Sequence, residues 1–446
     1  MDPLSPRLWN GPFTRALIIE NPSTVLDEQL LKMGIEPHRI PDAPDEDELV
    51  RLLQAGRHQL IFKRSKVLIT ERVVQASPDL AAVMLCNIGD DSVDKEACAR
   101  HGVLVTNDPV SNGRSVAELV MGEIIALSRR LFDSVFEIGQ GVWRKDNAAR
   151  YEVLGKRLGV VGLGNIGRQV AQLGQALGME IHFYDNAEVP REVGLAMGYK
   201  AAESLQALVE ASDFVSIHVS SEDIYGRSNE GLFSYEVLSA FGRRPKTSPR
   251  VLLNVARGFV VPPDELLRAV RDGHVAYAIT DVFPDEPGAA LDRAFANPFA
   301  GEPRIFGTPH IGAATMEAQP RIGRYVARTT ELLHRYGMLR NCVFEPRMKI
   351  AFEVPAEAYH MLSVVHVDKR GTKKAVDDAI YGSGANNLRS AHIDFPKFGV
   401  AYDLSALDRP LSAADTAALV AGASALTGDP RAIRSIRAIP VREPGA

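Results

Sequence analysis

Three side chains in this 446-residue chain have the types and positions needed to move a proton beside a carboxylate. Arg257 directly follows the apolar run VLLNVA, Glu286 sits on the Pro-rich loop of DVFPDEP, and His310 lies in TPHIGAAT after a short apolar segment. Open parallel sheets bind ligands at the C-terminal ends of such runs. A histidine near its ordinary pKa of about 6.5 can take a hydroxyl proton and return it. A carboxylate beside it orients the imidazole and stabilises its protonated form, the role expected of Glu286. A guanidinium grips a carboxylate through two parallel hydrogen bonds and polarises the adjacent carbonyl, the role expected of Arg257. Singly, each has a plain structural explanation as a solvated arginine, a polar loop acid or a satisfied histidine. In this order, on later strands of a nucleotide-type domain, they specify exchange between a 2-hydroxy acid and its 2-oxo partner.

That exchange needs a hydride acceptor, and residues 159–185, GVVGLGNIGRQVAQLGQALGMEIHFYD, provide a place for one. A short apolar strand runs into G-x-G-x-x-G at Gly162, Gly164 and Gly167, followed by an amphipathic helix and a second strand ending in Asp185. Gly162 lets the chain turn sharply, Gly164 lets backbone amides approach a pyrophosphate, and Gly167 lets the helix pack closely on the sheet. Asn165 and Ile166 lie inside the same turn and belong to the expected cofactor site. The helix aims its N–H groups and positive dipole end at the phosphates. Asp185, about 20 residues on, can accept both ribose hydroxyls and would repel a 2′-phosphate. Asn186 and Ala187 after it carry no cation, so NAD rather than NADP is the expected cofactor.

The elements that must position these groups read as an α/β chain. Strands are expected at Arg15 to Glu20, after a polar, Pro-containing leader, and at Gln59 to Ser65, within LAAVMLCNIG and at Gly102 to Asp108, with helical stretches between. Alternation of this kind argues a parallel, doubly wound sheet. One long helix, Ser115 to Phe132, carries the chain into the dinucleotide domain, which continues through FVSIHV, VLLNVA and YAITDVF. After Pro355 the order strand, helix, strand, strand, helix, strand is ferredoxin-like. Such a unit serves assembly or binds an effector, and order alone does not separate the two.

Bulk properties narrow the class. Hydrophobic residues make up 46% and charged residues 24%, ordinary for a globular protein. A net charge of -5 gives no basic field, so nucleic acid is not an expected partner. Cys86, Cys98 and Cys342 are scattered without ligand spacing, which suits a reducing cytoplasm and predicts no metal site. The N-terminus lacks an apolar signal region and no run approaches about 20 apolar residues, so neither secretion nor a membrane is expected.

The motifs FKRSK, SVAELV, GVW, GLGNIG, NVARG, DVFPDEP and TPHIGAAT together resemble the D-isomer-specific 2-hydroxyacid dehydrogenases, from about Arg15 to Pro440. The resemblance implies two doubly wound Rossmann-like domains, for substrate (14–113 and 313–350) and for NAD (114–312), and an ACT-like ferredoxin-fold domain (355–446). It implies Arg257, Glu286 and His310 as the catalytic trio and Asp281 near the nicotinamide amide. Val255, Ala256 and Gly312 join the cofactor site. Within the family, the phosphoglycerate-oxidising members carry a basic substrate loop matched here by Lys63, Arg64, Ser65 and Lys66, and Lys145 is a further candidate for phosphate. Amides around Ile88 and Gly89 are candidates for the substrate carboxylate, although Asp90 and Asp91 beside them oppose an anion unless they pair. The segment between SIHV and VLLNVA (220–249) is longer than the family's usual connection. HVDKRG stands where serine-sensitive relatives resemble H-x-N-x-P-G, with Asp368 for the amide and Arg370 for the proline, which argues against serine feedback. A homo-oligomer, dimer or tetramer, is implied, with contacts expected on the long helix after Ser115 and on the C-terminal unit. Two other readings remain open: a reductase of another anionic 2-oxo acid, and an NAD-sensing, corepressor-like binding protein.

Overall fold

Short, largely apolar runs with both faces buried, such as Leu60–Lys63 and Ala82–Leu85, form the central strands of two parallel sheets. Sheets covered on both faces have no polar alternation, which is why these runs read as continuously apolar. The computed structural model describes residues 5–442 apart from 246, 288–294 and 346–347. The chain divides into two compact units, one of Met1–Pro109 with Pro320–Ala446 and one of Val110–Gln319.

In the first unit the parallel sheet runs Glu36–Arg39, Arg15–Ile18, Leu60–Lys63, Ala82–Leu85, Leu104–Thr106. Its edge strand EPHR is polar and half-exposed, so no apolar pattern announces it. A second sheet of five strands has the order Arg7–Asn10, Ile433–Pro440, His360–Val367, Val400–Leu407, Asn387–Phe395. Its last four strands, with helices Thr372–Gly382 and Ala413–Thr427, form the ferredoxin-like arrangement that the element order predicts. The added strand lies in the polar leader: Arg7–Asn10 pairs in parallel with Ser435 to Ala438. Its side chains explain why. Arg7 donates to the carbonyls of Val74, Ser77 and Leu80, and Trp9 Nε1 donates to Asp79 O, so the leader ties the end of helix Glu71–Ala76 to the C-terminal sheet. One hydrophobic core continues from Leu17 and Val83 to Met361 and Tyr402, while Leu362, Val376, Leu419 and Ile436 pack separately beneath the two C-terminal helices.

A buried arginine completes this unit. Arg437 donates to the carbonyls of Leu333 (2.7 Å) and His334 (2.6 Å) in the last turn of helix Ala318–Tyr336 and to Gly11 O, with its guanidinium over Phe13. The helix end would otherwise bury unsatisfied carbonyls at the negative end of its dipole. Burial pulls the guanidinium down to about 9. Cys86, Cys98 and Cys342 are buried and unbridged, and burial pushes the Cys86 and Cys342 thiols up to about 12.

The second unit holds a seven-stranded parallel sheet: Ile305–Gly307, Tyr277–Thr280, Val251–Asn254, Phe214–Ile217, Arg157–Val161, Glu180–Tyr184, Lys200–Ala201. The expected long helix is two. Gly113–Ser128 stops at Arg129, Arg130 takes a left-handed conformation (φ 52°) with its side chain on Asp133, and Leu131–Gly139 restarts. The first helix is largely buried, whereas the second buries none of its residues and exposes Leu131, Val135, Phe136 and Ile138. The long 220–249 segment opens with a tight turn, in which Asp223 Oδ1 accepts from the amides of Tyr225 and Arg227, and closes with helix Tyr235–Ser239. Among the described residues no helix is long and apolar enough to cross a membrane.

Replacing Arg437 with Met keeps the volume but leaves the helix-end carbonyls buried without donors. Such orphaned groups cost about 1–3 kcal/mol each, so a loss of roughly 3 kcal/mol is expected, seen as a lower melting temperature of the full chain. An unchanged melting curve would show that the helix end finds other donors.

Candidate active site

The three chemical side chains lie on loops that leave three neighbouring parallel strands, Val251–Asn254, Tyr277–Thr280 and Ile305–Gly307. Asn254, the last residue of the first strand, shapes the arginine loop. Its Oδ1 accepts from Ala256 N (3.1 Å) and its Nδ2 donates to Arg257 O (3.0 Å). Arg257 Nη1 donates to Ala256 O, and the next residue must be glycine, because a Cβ on Gly258 would stand 2.0 Å from the carbonyl carbon of Phe283. That close approach brings the NVARG loop onto the DVFPDEP loop. There Glu286 Oε1 accepts from Phe283 N (3.1 Å) and Oε2 meets His310 Nδ1 at 2.7 Å.

Asp281 governs the third loop. Fully buried, it accepts from Thr308 Oγ1 (2.6 Å) and Ile311 N (2.8 Å) on one oxygen and from Gly312 N (2.8 Å) on the other. These bonds hold His310 in a left-handed backbone conformation, φ 55°, uncommon outside glycine and asparagine. The Asp281 carboxylate is thus first a clamp on the histidine loop. Glu123, on helix Gly113–Ser128, is buried nearby without a hydrogen-bond partner among the described residues, and burial together with the charge of Asp281 pushes it up to about 8.

The pair is tuned in opposite directions. The hydrogen bond from His310 to Glu286 lifts the imidazole above its ordinary 6.5 against burial, with the charges of Glu286 and Asp281 adding and Arg257 opposing. Burial works to raise Glu286, but His310, the Phe283 amide and Arg257 outweigh it and hold the carboxyl below its ordinary value. With Nδ1 engaged by the carboxylate, Nε2 of the half-exposed ring is the nitrogen left for a reacting proton.

The glycine turn fits a dinucleotide. Gly162 has φ +85°, and a Cβ there would meet His218 O at 2.7 Å; a Cβ on Gly167 would meet Gly162 O at 2.0 Å. Gly164 caps helix Asn165–Ala176, whose first amides point at the turn. Asp185 lies at the end of Glu180–Tyr184 and accepts from Leu163 N and Ala187 N, so it also pins the turn while its oxygens keep lone pairs for ribose hydroxyls. Residue types alone did not single out Arg168 or Arg191. Arg168 binds Gly164 O and Asn165 Oδ1, placing a cation at the phosphate end, and Arg191 Nη1 lies 3.4 Å from Asp185 O. The 220–249 segment reaches this end too, through Asn186 Nδ2 to Asp223 Oδ2 at 2.9 Å.

In the first unit, the other candidates leave the paired strands Leu60–Lys63 and Ala82–Leu85 at the same end. Lys63 corrects the expected cluster. It is fully buried, its Nζ donates to Arg64 O and Ser92 Oγ (2.6 Å each), and burial draws it down to about 8. Arg64, Ser65 and Lys66 are partly or fully exposed, and Glu20 Oε1 fixes their loop by accepting from the amides of Lys66 and Val67. Carbonyls of Ile88 and Gly89 accept from Asn107 Nδ2 and Asn87 Nδ2. Asp90 pairs with Lys95 at 3.0 Å, which answers the charge conflict expected there. Lys145 lies on an exposed stretch close to Trp143, which is 82% exposed, and among the described residues no hydrogen bond or ion pair links it to the trio.

Comparison with known proteins places the chain among similar sequences and structures. The family model described as the NAD-binding domain of D-isomer specific 2-hydroxyacid dehydrogenases matches residues 121–312. The D-3-phosphoglycerate dehydrogenase of Dictyostelium discoideum is 34% identical over 275 residues, 62% of this chain and 64% of that protein. The chain thus spans slightly less than two thirds of that relative. The enzyme of the same name from Escherichia coli K12 is 33% identical over 353 residues, 79% of this chain and 81% of that one. The crystal structure of TT0316 protein from Thermus thermophilus superposes with a TM-score of 0.60 at 26% identity, covering 72% of this chain and 96% of that one.

Two outcomes test the geometry. Glu286→Gln should move the titration midpoint of His310, followed by NMR, down towards the ordinary 6.5. Gly258→Ala should separate the arginine and glutamate loops at a cost of about 1–3 kcal/mol, with the sheet retained by circular dichroism.

Proposed function

This chain belongs to the D-isomer-specific 2-hydroxyacid dehydrogenases, and we propose that it oxidises D-3-phosphoglycerate to 3-phosphohydroxypyruvate with NAD, the opening step of phosphorylated serine synthesis. The observation that carries the reading is the His310–Glu286 pair at 2.7 Å, on a loop clamped by Asp281, beside an arginine and a dinucleotide turn on the same sheet. His310 Nε2 accepts the C2 hydroxyl proton, and Glu286 stabilises the imidazolium that forms. Arg257 holds the substrate carboxylate and polarises the carbonyl that develops, using donors of its five-donor fork other than the one on Ala256 O. Bound NAD supplies a nicotinamide ring that accepts the hydride. Gly162, Gly164, Asn165, Ile166, Gly167, Asp185, Val255, Ala256 and Gly312 hold it, with Arg168 at the pyrophosphate.

Arg64, Ser65 and Lys66 receive the phosphate, and the amides of Ile88 and Gly89 the carboxylate end. The exposed ammonium of Lys66 suits a doubly charged group. In domain terms, 114–312 binds NAD, 14–113 with 313–350 binds substrate, and 355–446 serves assembly or an effector. The apolar surface of Leu131–Gly139 supports a homo-oligomer, and three buried, unbridged thiols support a reducing cytoplasmic setting.

Steady-state kinetics over a panel of 2-hydroxy and 2-oxo acids, with NAD and NADP, decide the reading. Fastest turnover is expected with 3-phosphoglycerate and phosphohydroxypyruvate, with NAD preferred. His310→Gln should lower kcat by about 10²–10⁴-fold. Oxidation should rise with pH through a His310 midpoint above 6.5, since the base must be neutral, and reduction should fall through the same midpoint. Better turnover of an unphosphorylated 2-oxo acid would replace the substrate and keep the chemistry. Absence of turnover on the whole panel, with NAD-dependent capture of a partner protein, would favour a binding role.

A further inference from the structure

Away from this site, three strands of the C-terminal sheet bring together a group of side chains that the dehydrogenase chemistry does not use. His366 ends His360–Val367, His392 lies on the edge strand Asn387–Phe395, and Asp403 lies on Val400–Leu407 between them. His366 Nε2 is 2.8 Å from Asp403 Oδ2, and His392 Nδ1 is 2.8 Å from Asp403 Oδ1. The two rings stack with centroids 5.7 Å apart. The His366 and Asp403 side chains are 2% exposed, and that of His392 is 32% exposed.

The tautomers make the group unusual. His366 Nδ1 lies 2.7 Å from Val367 O, a carbonyl that can only accept, so Nδ1 carries the hydrogen. His392 Nε2 lies 2.7 Å from Asp394 Oδ1, so Nε2 carries the hydrogen there. In neutral rings the nitrogens turned towards Asp403 are then lone pairs, and they face carboxylate oxygens that are also lone pairs. Something positive must stand between them: a proton on each ring, or one ion shared by all three. An imidazole whose far N–H is held by a carbonyl or carboxylate is the arrangement that orients histidines on a metal.

We infer that His366 Nε2, His392 Nδ1 and Asp403 form a binding site for one divalent transition-metal ion of the zinc class. The three ligand atoms already lie within 4.8 Å of one another. Two imidazoles and a carboxylate are an N/O set that suits zinc, and three protein ligands leave a fourth position open beside the half-exposed ring of His392. Ligands on a tetrahedral ion stand about 3.3 Å apart, so the present contacts widen by about half an ångström when the ion enters. On binding, the ion displaces to solvent whatever protons stand between the two ring nitrogens and Asp403. Lys373, 3.7 Å from Asp403 Oδ1, opposes a cation, but it also pairs with Asp377. The ion would join three strands of one sheet and change their stability without touching the dehydrogenase residues.

The test is calorimetric titration of the chelator-treated full chain with Zn²⁺, repeated with Co²⁺ for its visible spectrum. Expected are one ion per chain, proton release that grows as pH falls, and a tetrahedral Co²⁺ spectrum with imidazole ligands. Asp394→Asn, which only loosens the ring of His392, should weaken binding about tenfold, and His392→Gln by roughly a hundredfold. No stoichiometric binding tighter than about 10 µM, or equal affinity in His392→Gln, overturns the assignment. If a variant misfolds, the Co²⁺ spectrum of the unsubstituted chain decides alone: a weak octahedral spectrum counts against the site.

Discussion

A buried carboxylate that accepts three hydrogen bonds holds the reactive end of this molecule. Asp281 takes Thr308 Oγ1, Ile311 N and Gly312 N, and so fixes both flanks of His310. The left-handed backbone of His310 costs roughly 1–3 kcal/mol, and three buried hydrogen bonds donated to the Asp281 carboxyl are of the size needed to offset it. The ring is therefore presented to Glu286 by backbone strain that the clamp sustains. Glu286 in turn depends on the Phe283 amide and on Gly258, whose missing Cβ lets the arginine loop rest against Phe283. Arg257, Glu286 and His310 form one assembly because three adjacent strands end at the same level.

A second regularity concerns buried arginines. Arg7 donates to the carbonyls at the end of helix Glu71–Ala76, and Arg437 to those at the end of Ala318–Tyr336. Both residues lie on paired neighbouring strands of the C-terminal sheet. Each places a cation where a helix dipole is negative and carbonyls lack donors. The N-terminal leader and the C-terminal sheet thus stabilise the first parallel sheet through its helix ends as well as through the shared apolar core.

The basic loop shows how burial redistributes roles among residues of one type. Lys63, Arg64 and Lys66 are equivalent as letters. Lys63, the last residue of a strand covered on both faces, is buried against Ser92, and Glu20 organises the loop of the two that remain on the surface. Asp90 similarly loses its apparent conflict with an anion once Lys95 stands beside it.

Much of this protein was legible in its letters, for identifiable reasons. The glycine spacing marks a tight strand-to-helix turn, apolar runs bounded by polar turns mark buried parallel strands, and Arg, Glu and His after successive runs are brought to one end of one sheet. The strand and helix order after Pro355 likewise predicted the ferredoxin-like arrangement. What depends on neighbours distant in sequence was not legible. RLWN carries no strand signal until Ile433–Pro440 offers an edge, and the helix break at Arg130 rests on one left-handed residue. Asn254 and Gly258 look ordinary until the loops they shape meet, and His366, His392 and Asp403 have no ligand spacing because three separate strands bring them together. Sequence determined which chemistry the residues could perform, since that follows from functional groups and local periodicity. Tertiary structure decided which groups are charged, buried and held, since those depend on desolvation and on partners that only the folded chain supplies.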